Sequence, residues 1–212
     1  LPEELREAFV RFAFERQSYR QIAAALGVPV ATVGTRVLRA RPRVVADVGC
    51  EDGWLAEAYA DRVGETVLVD LDPAMLARAR AKRLPRTRTV VGDAIDATLL
   101  APLGADVVVL SAVLEHLARP ALALSAACAA LRPGGRIVVY VPADRPILLA
   151  KRLLRVTRLS RLVPGLSLEP APGHVRTFDR ASLVRLLAPF GTVEEVVFDP
   201  AVLGYAAVVR RA

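Results

Sequence analysis

The chain has 212 residues, 54% of them hydrophobic, with a formal charge of +7 and a sequence pI near 10.2. That length and hydropathy exclude a disordered protein and allow one large core plus a small appendage. The positive charge fits nucleic acid, anionic lipid or an acidic substrate as partner, but lysine occurs only at Lys82 and Lys151, and such an arginine- and alanine-rich composition also follows from a GC-rich genome.

Cys50 and Cys128 are too few for a disulfide framework and lie in no CxxC or Cys/His cluster with zinc-ligand spacing. A reducing, cytoplasmic setting without a bound metal is the expectation. No apolar run approaches the length of a membrane span, and "LPEELREAF" is too acidic for a signal peptide.

Leu5, Phe9, Phe12 and Ala13 recur at helical spacing within residues 3–16, with Pro2 where a first turn tolerates it. Ser18 is an N-cap for "YRQIAAAL", Gly27 ends that helix, and residues 29–41 form a third periodic segment. Three short helices with a glycine turn between the second and third describe a helix-turn-helix unit over residues 1–41. "LPEELREAF" and "SYRQIAAALGVPVATVGTRVLRAR" resemble region 4 of bacterial sigma factors. That resemblance implies DNA contact through residues 29–41, with Thr32, Thr35 and Arg36 at the major groove and Arg39 and Arg41 toward phosphates. The alternative is a helical extension that packs on the following domain, and Gly34 inside the third helix costs about 1 kcal/mol against alanine.

From Arg43 strand-like runs alternate with helical ones: 44–48, 54–62, 66–69, 73–83, 89–91, a short segment, 106–110, 118–131 and 136–141. Such alternation predicts an α/β domain, a doubly wound parallel sheet covered by helices, over residues 42–212. A basic, apolar stretch interrupts it after Val141. Helix 179–188 and two late runs, 192–198 and 203–210, then predict an antiparallel closing pair, making seven strands.

Ligands of doubly wound sheets bind beyond the carboxyl ends of the strands, where "DVGCEDG" falls. The dinucleotide pattern GxGxxG fails because position 51 is Glu and position 54 is Trp. Asp47, Gly49 and Gly53 instead match the acid-GxGxG loop of S-adenosylmethionine-dependent class I methyltransferases, with Glu51 in place of the middle glycine. Further stretches resemble that family in order: "LVDLDPAMLARAR", "VVGDAID", "ADVVVLSAVLEHL", "LRPGGRIVVYVP" and "GHVRTFDRASLVRLLAPFG". The resemblance implies a Rossmann-like sheet with an antiparallel last strand and S-adenosyl-L-methionine as cofactor. It assigns the loop residues Gly49, Cys50, Glu51 and Gly53 to the donor, Asp70 and Leu71 to its ribose side, Asp93 and Ala94 to its adenine, and Ser111 and Ala112 to its floor. Asp70 and Asp93 also stand where aspartate caps helices. Glu51 is strained by about 1–2 kcal/mol if its position needs φ > 0.

Methyl transfer needs positioning and water exclusion rather than a metal or covalent nucleophile. If the acceptor must lose a proton, His116 and His174 are the candidate bases, their pKa lying near neutrality. The expected substrate cover, residues 142–178, contains a basic amphipathic stretch at 145–163 that would lid an apolar pocket, contact an anionic membrane surface, or face water on a core-packed helix. The leading expectation is a methyltransferase acting on a small or lipid-like acceptor. The alternative is a DNA-binding regulator whose large domain senses the cofactor or is inactive.

Overall fold

The computed structural model describes residues 4, 5, 7, 8, 11, 15, 17–40, 43–143, 173–200 and 203–211. The membrane-contact stretch 145–163, most of the expected cover, Arg41 and the side chain of Arg39 lie outside the described residues. Among the described residues no helix is long and apolar enough to cross a membrane.

Residues 4, 5, 7, 8 and 11 of the first expected helix are helical. Helix α1 (Tyr19–Leu26) starts with a capping box in which the Ser18 hydroxyl accepts from the Gln21 amide and the Gln21 side chain accepts from the Ser18 amide. It ends at Gly27, whose left-handed φ of 63° turns the chain into α2 (Val30–Ala40). Ala8, Ile22, Ala23, Val33 and Val37 form the small core of this unit.

Seven strands follow: β1 (Val44–Val48), β2 (Glu65–Asp70), β3 (Thr87–Val91), β4 (Ala105–Ser111), β5 (Leu131–Pro142), β6 (Gly191–Asp199) and β7 (Gly204–Arg211). They form one sheet in the order β3-β2-β1-β4-β5-β7-β6. The pairs among β1 to β5 are parallel, and β7 runs antiparallel to both β5 and β6. The strand order reverses at β1, so the crevice between the ends of β1 and β4 is the switch point where such sheets bind ligands.

Side chains alternate across the sheet, and the two faces carry different cores. Ala46 and Val48 of β1 and Val67 and Val69 of β2 join Leu110, Leu124 and Ile137 in the main core. That core is closed by α5 (Pro120–Ala130), whose alanines Ala123, Ala126, Ala127 and Ala130 are fully buried, and by Leu183 and Leu187 of α6 (Arg180–Leu187). Leu68, one residue out of phase, packs on the other face with Cys50, Ala56, and Leu76 and Ala79 of α3 (Pro73–Ala81). The short α4 (Ala97–Leu100) lies between β3 and β4.

One expected element differs. Residues 54–62 do not form a continuous helix but two single 3-10 turns, Ala56–Ala58 and Ala60–Arg62, broken at Tyr59 with φ −135° and ψ −16°. The good helix formers here are overridden by tertiary contacts. Leaving helical geometry lets the Tyr59 hydroxyl reach Asp47, while Glu57 is drawn to Lys82. Two boundaries also move: α3 stops at Ala81, ahead of the left-handed Arg83, and Leu131 turns extended to begin β5 five residues earlier than the sequence pattern suggests.

Candidate functional site

The loop after β1 is tied to the end of β2 by its own backbone. The amides of Gly49 and Cys50 both donate to the Val69 carbonyl, at 2.8 and 3.1 Å. Gly49 has φ 75°, and a Cβ there would lie 2.5 Å from Val113 Cγ2, so glycine is required on two counts. This contact brings the segment beyond β4 against the loop. Gly53 closes the turn by donating to the Cys50 carbonyl at 2.8 Å, with φ 74° and a Cβ position only 3.0 Å from Leu68 Cδ1. Glu51 lies in the same left-handed region, φ 50°, so the strain anticipated for it is present, at about 1–2 kcal/mol.

Asp70 organises the mouth. Its Oδ2 accepts from the Glu51 amide at 2.8 Å and its Oδ1 from the Asp72 amide at 2.9 Å, which orients the half-buried carboxylate at the carboxyl end of β2. The expected alternative role in capping falls to neighbours. Asp72 caps α3 by accepting from the Ala74 amide, and Asp96 caps α4 by accepting from Thr98 and Leu99. Asp93 instead holds its own loop, accepting from the Ile95 amide at 3.1 Å, with Ala94 half-buried beside it. Leu71, 68% exposed, follows Asp70, and Ile95, 38% exposed, follows Asp93. Two carboxylates thus each stand beside an apolar side chain left uncovered, a pairing suited to a ligand with hydroxyl or amino groups on a flat apolar body.

Asp47 stands apart from this rim. It points to the Leu68 face, is only 1% exposed, and its Oδ2 accepts from the Tyr59 hydroxyl at 3.0 Å. Burial pushes its carboxyl up to about 6, against the opposing effect of the Tyr59 hydrogen bond and with a further push from Asp70. Burial also pushes the Cys50 thiol up, helped by Asp47 and Asp70, so this is no activated thiol. Lys82 clamps the loop from outside, its Nζ lying 3.1 Å from Asp52 and 2.5 Å from Glu57. Its hydrogen bond holds the Asp52 carboxyl below the usual range.

Beyond β4, Ser111 is half-buried and Ala112 is exposed at φ 54°, its amide donating to the Tyr140 carbonyl. A one-turn helix, Leu114–His116, then carries His116 outward while Glu115 is fully buried. The Glu115 carbonyl accepts from the Val175 and Arg176 amides, and the Arg176 guanidinium donates to the Leu117 and Ala118 carbonyls. These bonds hold His174 against His116, ring centroids 5.0 Å apart and nearly perpendicular. The two candidate bases, remote in sequence, are neighbours. His116 Nδ1 lies 3.0 Å from the Gly173 carbonyl, which can only accept, so Nδ1 carries a hydrogen and, in the neutral ring, Nε2 has the lone pair.

Sequence reasoning missed Tyr59, Lys82, Val113, Glu115 and Arg176. Glu115 had a signal in its place beside His116 within "LEHL"; the others act through contacts that no local pattern announces.

In the N-terminal unit Thr35 is exposed and Thr32 half-buried, while Arg36 is engaged by Glu4 at 2.7 Å.

Comparison with known proteins bears on the fold and the family. Residues 46–139 match the family described as methyltransferase domain, and residues 1–44 match Sigma-70, region 4. The trans-aconitate 2-methyltransferase of Methylobacterium radiotolerans is 34% identical over 165 residues, covering 76% of this chain and 62% of that protein. The ubiquinone biosynthesis O-methyltransferase of Idiomarina loihiensis is 38% identical over 96 residues, 44% of this chain and 40% of that protein. The chain therefore spans roughly half the length of these curated relatives. Among solved structures, the PH0226 protein of Pyrococcus horikoshii OT3 superposes with a TM-score of 0.64 at 18% identity, covering 96% of both chains. The N-methyltransferase NodS of Bradyrhizobium japonicum WM9, in complex with S-adenosyl-L-homocysteine, gives 0.58 at 19% identity, covering 86% of this chain and 87% of that one. These two likenesses establish the fold. The matched domain places residues 46–139 in the methyltransferase domain family, and the curated relatives that the chain resembles are methyltransferases, one of them described as a probable S-adenosylmethionine-dependent methyltransferase.

Proposed function

We propose that the chain transfers a methyl group from S-adenosylmethionine to a small-molecule acceptor in the cytoplasm. The observation that carries this reading is the Asp70 carboxylate, fixed by two backbone amides at the carboxyl end of β2, next to the loop after β1 and beside an exposed Leu71. Each of its oxygens retains a lone pair for one of two adjacent ribose hydroxyls. Asp93 and Ala94 meet the adenine edge, and Leu71 and Ile95 cover its faces. The loop from Gly49 through Cys50 and Glu51 to Gly53 takes the amino-acid end. Asp47, Glu51, Asp52 and Asp70 make this end of the sheet acidic, with Lys82 as a counter-charge, which favours a ligand bearing ammonium and sulfonium charges. Asp47 acts from below, through Tyr59, by holding the loop.

When bound, S-adenosylmethionine supplies a methyl on a sulfonium: the acceptor lone pair forms the new bond to carbon, and the C–S electron pair stays on the sulfur of neutral S-adenosylhomocysteine. Ser111 and Ala112 floor that position, and His116 and His174 stand on the acceptor side. The His116 Nε2 lone pair can take a proton from the acceptor. Trans-aconitate and ubiquinone-pathway relatives support a small oxygen-bearing acceptor.

Thermal unfolding tests the reading. S-adenosylmethionine and S-adenosylhomocysteine should each raise the midpoint and NAD should not. Asp70→Asn, which keeps the shape, should weaken both at least roughly tenfold, because one charge-assisted hydrogen bond contributes about 1.5–3 kcal/mol. Labelled methyl transfer to a small-molecule extract then identifies the acceptor. Absence of any shift at millimolar S-adenosylmethionine overturns the proposal.

The Sigma-70 region 4 match and the capped α1-turn-α2 pair favour a second role for residues 29–41, contact with duplex DNA. Thr32 and Thr35 lead that face, and Arg36 joins it only by leaving Glu4. Salt-dependent duplex binding by the full chain, lost on deleting residues 1–41, is the expected result. The basic stretch 145–163 supports peripheral contact with an anionic membrane, which vesicle co-sedimentation would reveal.

A further inference from the structure

We propose that Glu115, His116 and His174 form a binding site for a divalent transition-metal cation of the zinc type. The three residues each offer a ligand atom, and these atoms all lie within 4.8 Å of one another. Two imidazoles and one carboxylate suit zinc, iron or manganese, whereas calcium and magnesium prefer all-oxygen shells. Bond lengths of about 2.0–2.1 Å bring ligand atoms to roughly 3–3.5 Å from each other, so the cluster closes around an ion by about an ångström. Rotation of the exposed His116 and half-buried His174 rings supplies that movement.

A second, independent observation points the same way. Metal-ligating histidines characteristically donate their other ring N–H to a carbonyl or carboxylate, which fixes the tautomer and raises ligand basicity. His116 Nδ1 donates to the Gly173 carbonyl at 3.0 Å, leaving Nε2 for the cation. The main chain beside it is fixed as well: the Glu115 backbone carbonyl accepts the Val175 and Arg176 amides at 2.9 and 3.1 Å, and the residue is fully buried. Three protein ligands leave a coordination position open.

The site includes the turn that follows β4 and Ala112 in the chain, and its use in methyl transfer rests on the function proposed above. There the cation takes the acceptor through an oxygen atom and lowers the pKa of a coordinated hydroxyl. The O–H bond breaks, its electron pair stays on oxygen, and the proton passes to solvent. The histidines then serve as ligands rather than bases, and the acceptor class narrows to hydroxyl- or carboxylate-bearing molecules.

Metal binding is measured without reference to activity. The full chain, stripped with a chelator, is dialysed against zinc and its metal content determined, and cobalt is titrated by its visible absorption. One equivalent per chain is expected, with affinity reduced at least roughly tenfold in both His116→Ala and His174→Ala. These two side chains reach the surface, so the variants fold even where Glu115→Gln does not. Absence of a stoichiometric equivalent, or binding indifferent to His174→Ala, overturns the site. S-adenosylmethionine titration in parallel separates the two proposals. A chain that binds the nucleoside but no metal keeps only the methyltransferase reading, and one that binds metal but not the nucleoside keeps only the cation site.

Discussion

The donor and acceptor sides of the proposed site are built by different means. On the donor side the main chain does most of the work: the Glu51 and Asp72 amides orient Asp70, and the Gly49 and Cys50 amides tie the loop to Val69. On the acceptor side two segments remote in sequence are stitched together, through His116 to Gly173, Arg176 to Leu117 and Ala118, and the Val175 and Arg176 amides to Glu115. The first construction follows from residue types at fixed short spacing. The second exists only once α6 and the end of β4 have been brought together, so it depends on the sheet having formed.

The largest expected effect lies beneath the donor side, at Asp47. Its carboxyl is raised from 3.8 to about 6 by burial, so in the interval between those values the folded chain holds a proton that the unfolded chain has lost. Stability contributed by this group is complete below pH 3.8 and is lost as pH rises through about 6. A shift of this size corresponds to on the order of 3 kcal/mol. Urea unfolding from pH 4 to 7 should therefore show the wild type losing stability relative to Asp47→Asn by about that amount. Parallel curves for the two proteins would mean that Tyr59 and the loop shelter the charge fully, and that the donor side rests on no buried cost.

This contrast governs what the sequence discloses. Strand alternation, the Ser18 cap, Gly27, the antiparallel closing pair and the loops at Asp47, Asp70 and Asp93 are all legible, because each is a local pattern, although Asp70 and Asp93 also suit helix caps. The turn at Tyr59 is not, since residues 54–62 have good helical propensity and contacts with the distant Asp47 and Lys82 override it. The meeting of His116 with His174 is hidden for the same reason. Each histidine is visible as a titratable group, but their contact and the burial of Glu115 beside them are properties of the fold.

A moderate effect sharpens the comparison from the other side. Arg176→Met removes the guanidinium bonds to the Leu117 and Ala118 carbonyls while keeping the aliphatic stem. The local opening of this seam should become easier by about 1 kcal/mol, or roughly fivefold in exchange rate, at the Val175 and Arg176 amides. Exchange at the Glu51 amide, bonded to Asp70, should not change. Equal acceleration at both places would show that the proposed site opens as one unit, and the distinction between its sides would lose its energetic meaning.

The smallest effect concerns Glu51, where the donor side departs from an all-glycine loop. At φ 50° a residue with a Cβ carries about 1–2 kcal/mol of strain. Glycine removes it but adds about 0.5–1 kcal/mol of chain entropy in the unfolded state, so Glu51→Gly should raise stability by only a few tenths to about 1 kcal/mol. Glu51→Ala separates the causes, because alanine keeps the strain and loses only the carboxylate. If Ala matches the wild type while Gly exceeds it, the backbone alone sets the difference. If both variants are less stable, the exposed carboxylate makes a contact worth more than the strain. The donor side would then owe part of its order to a side chain, as the acceptor side does.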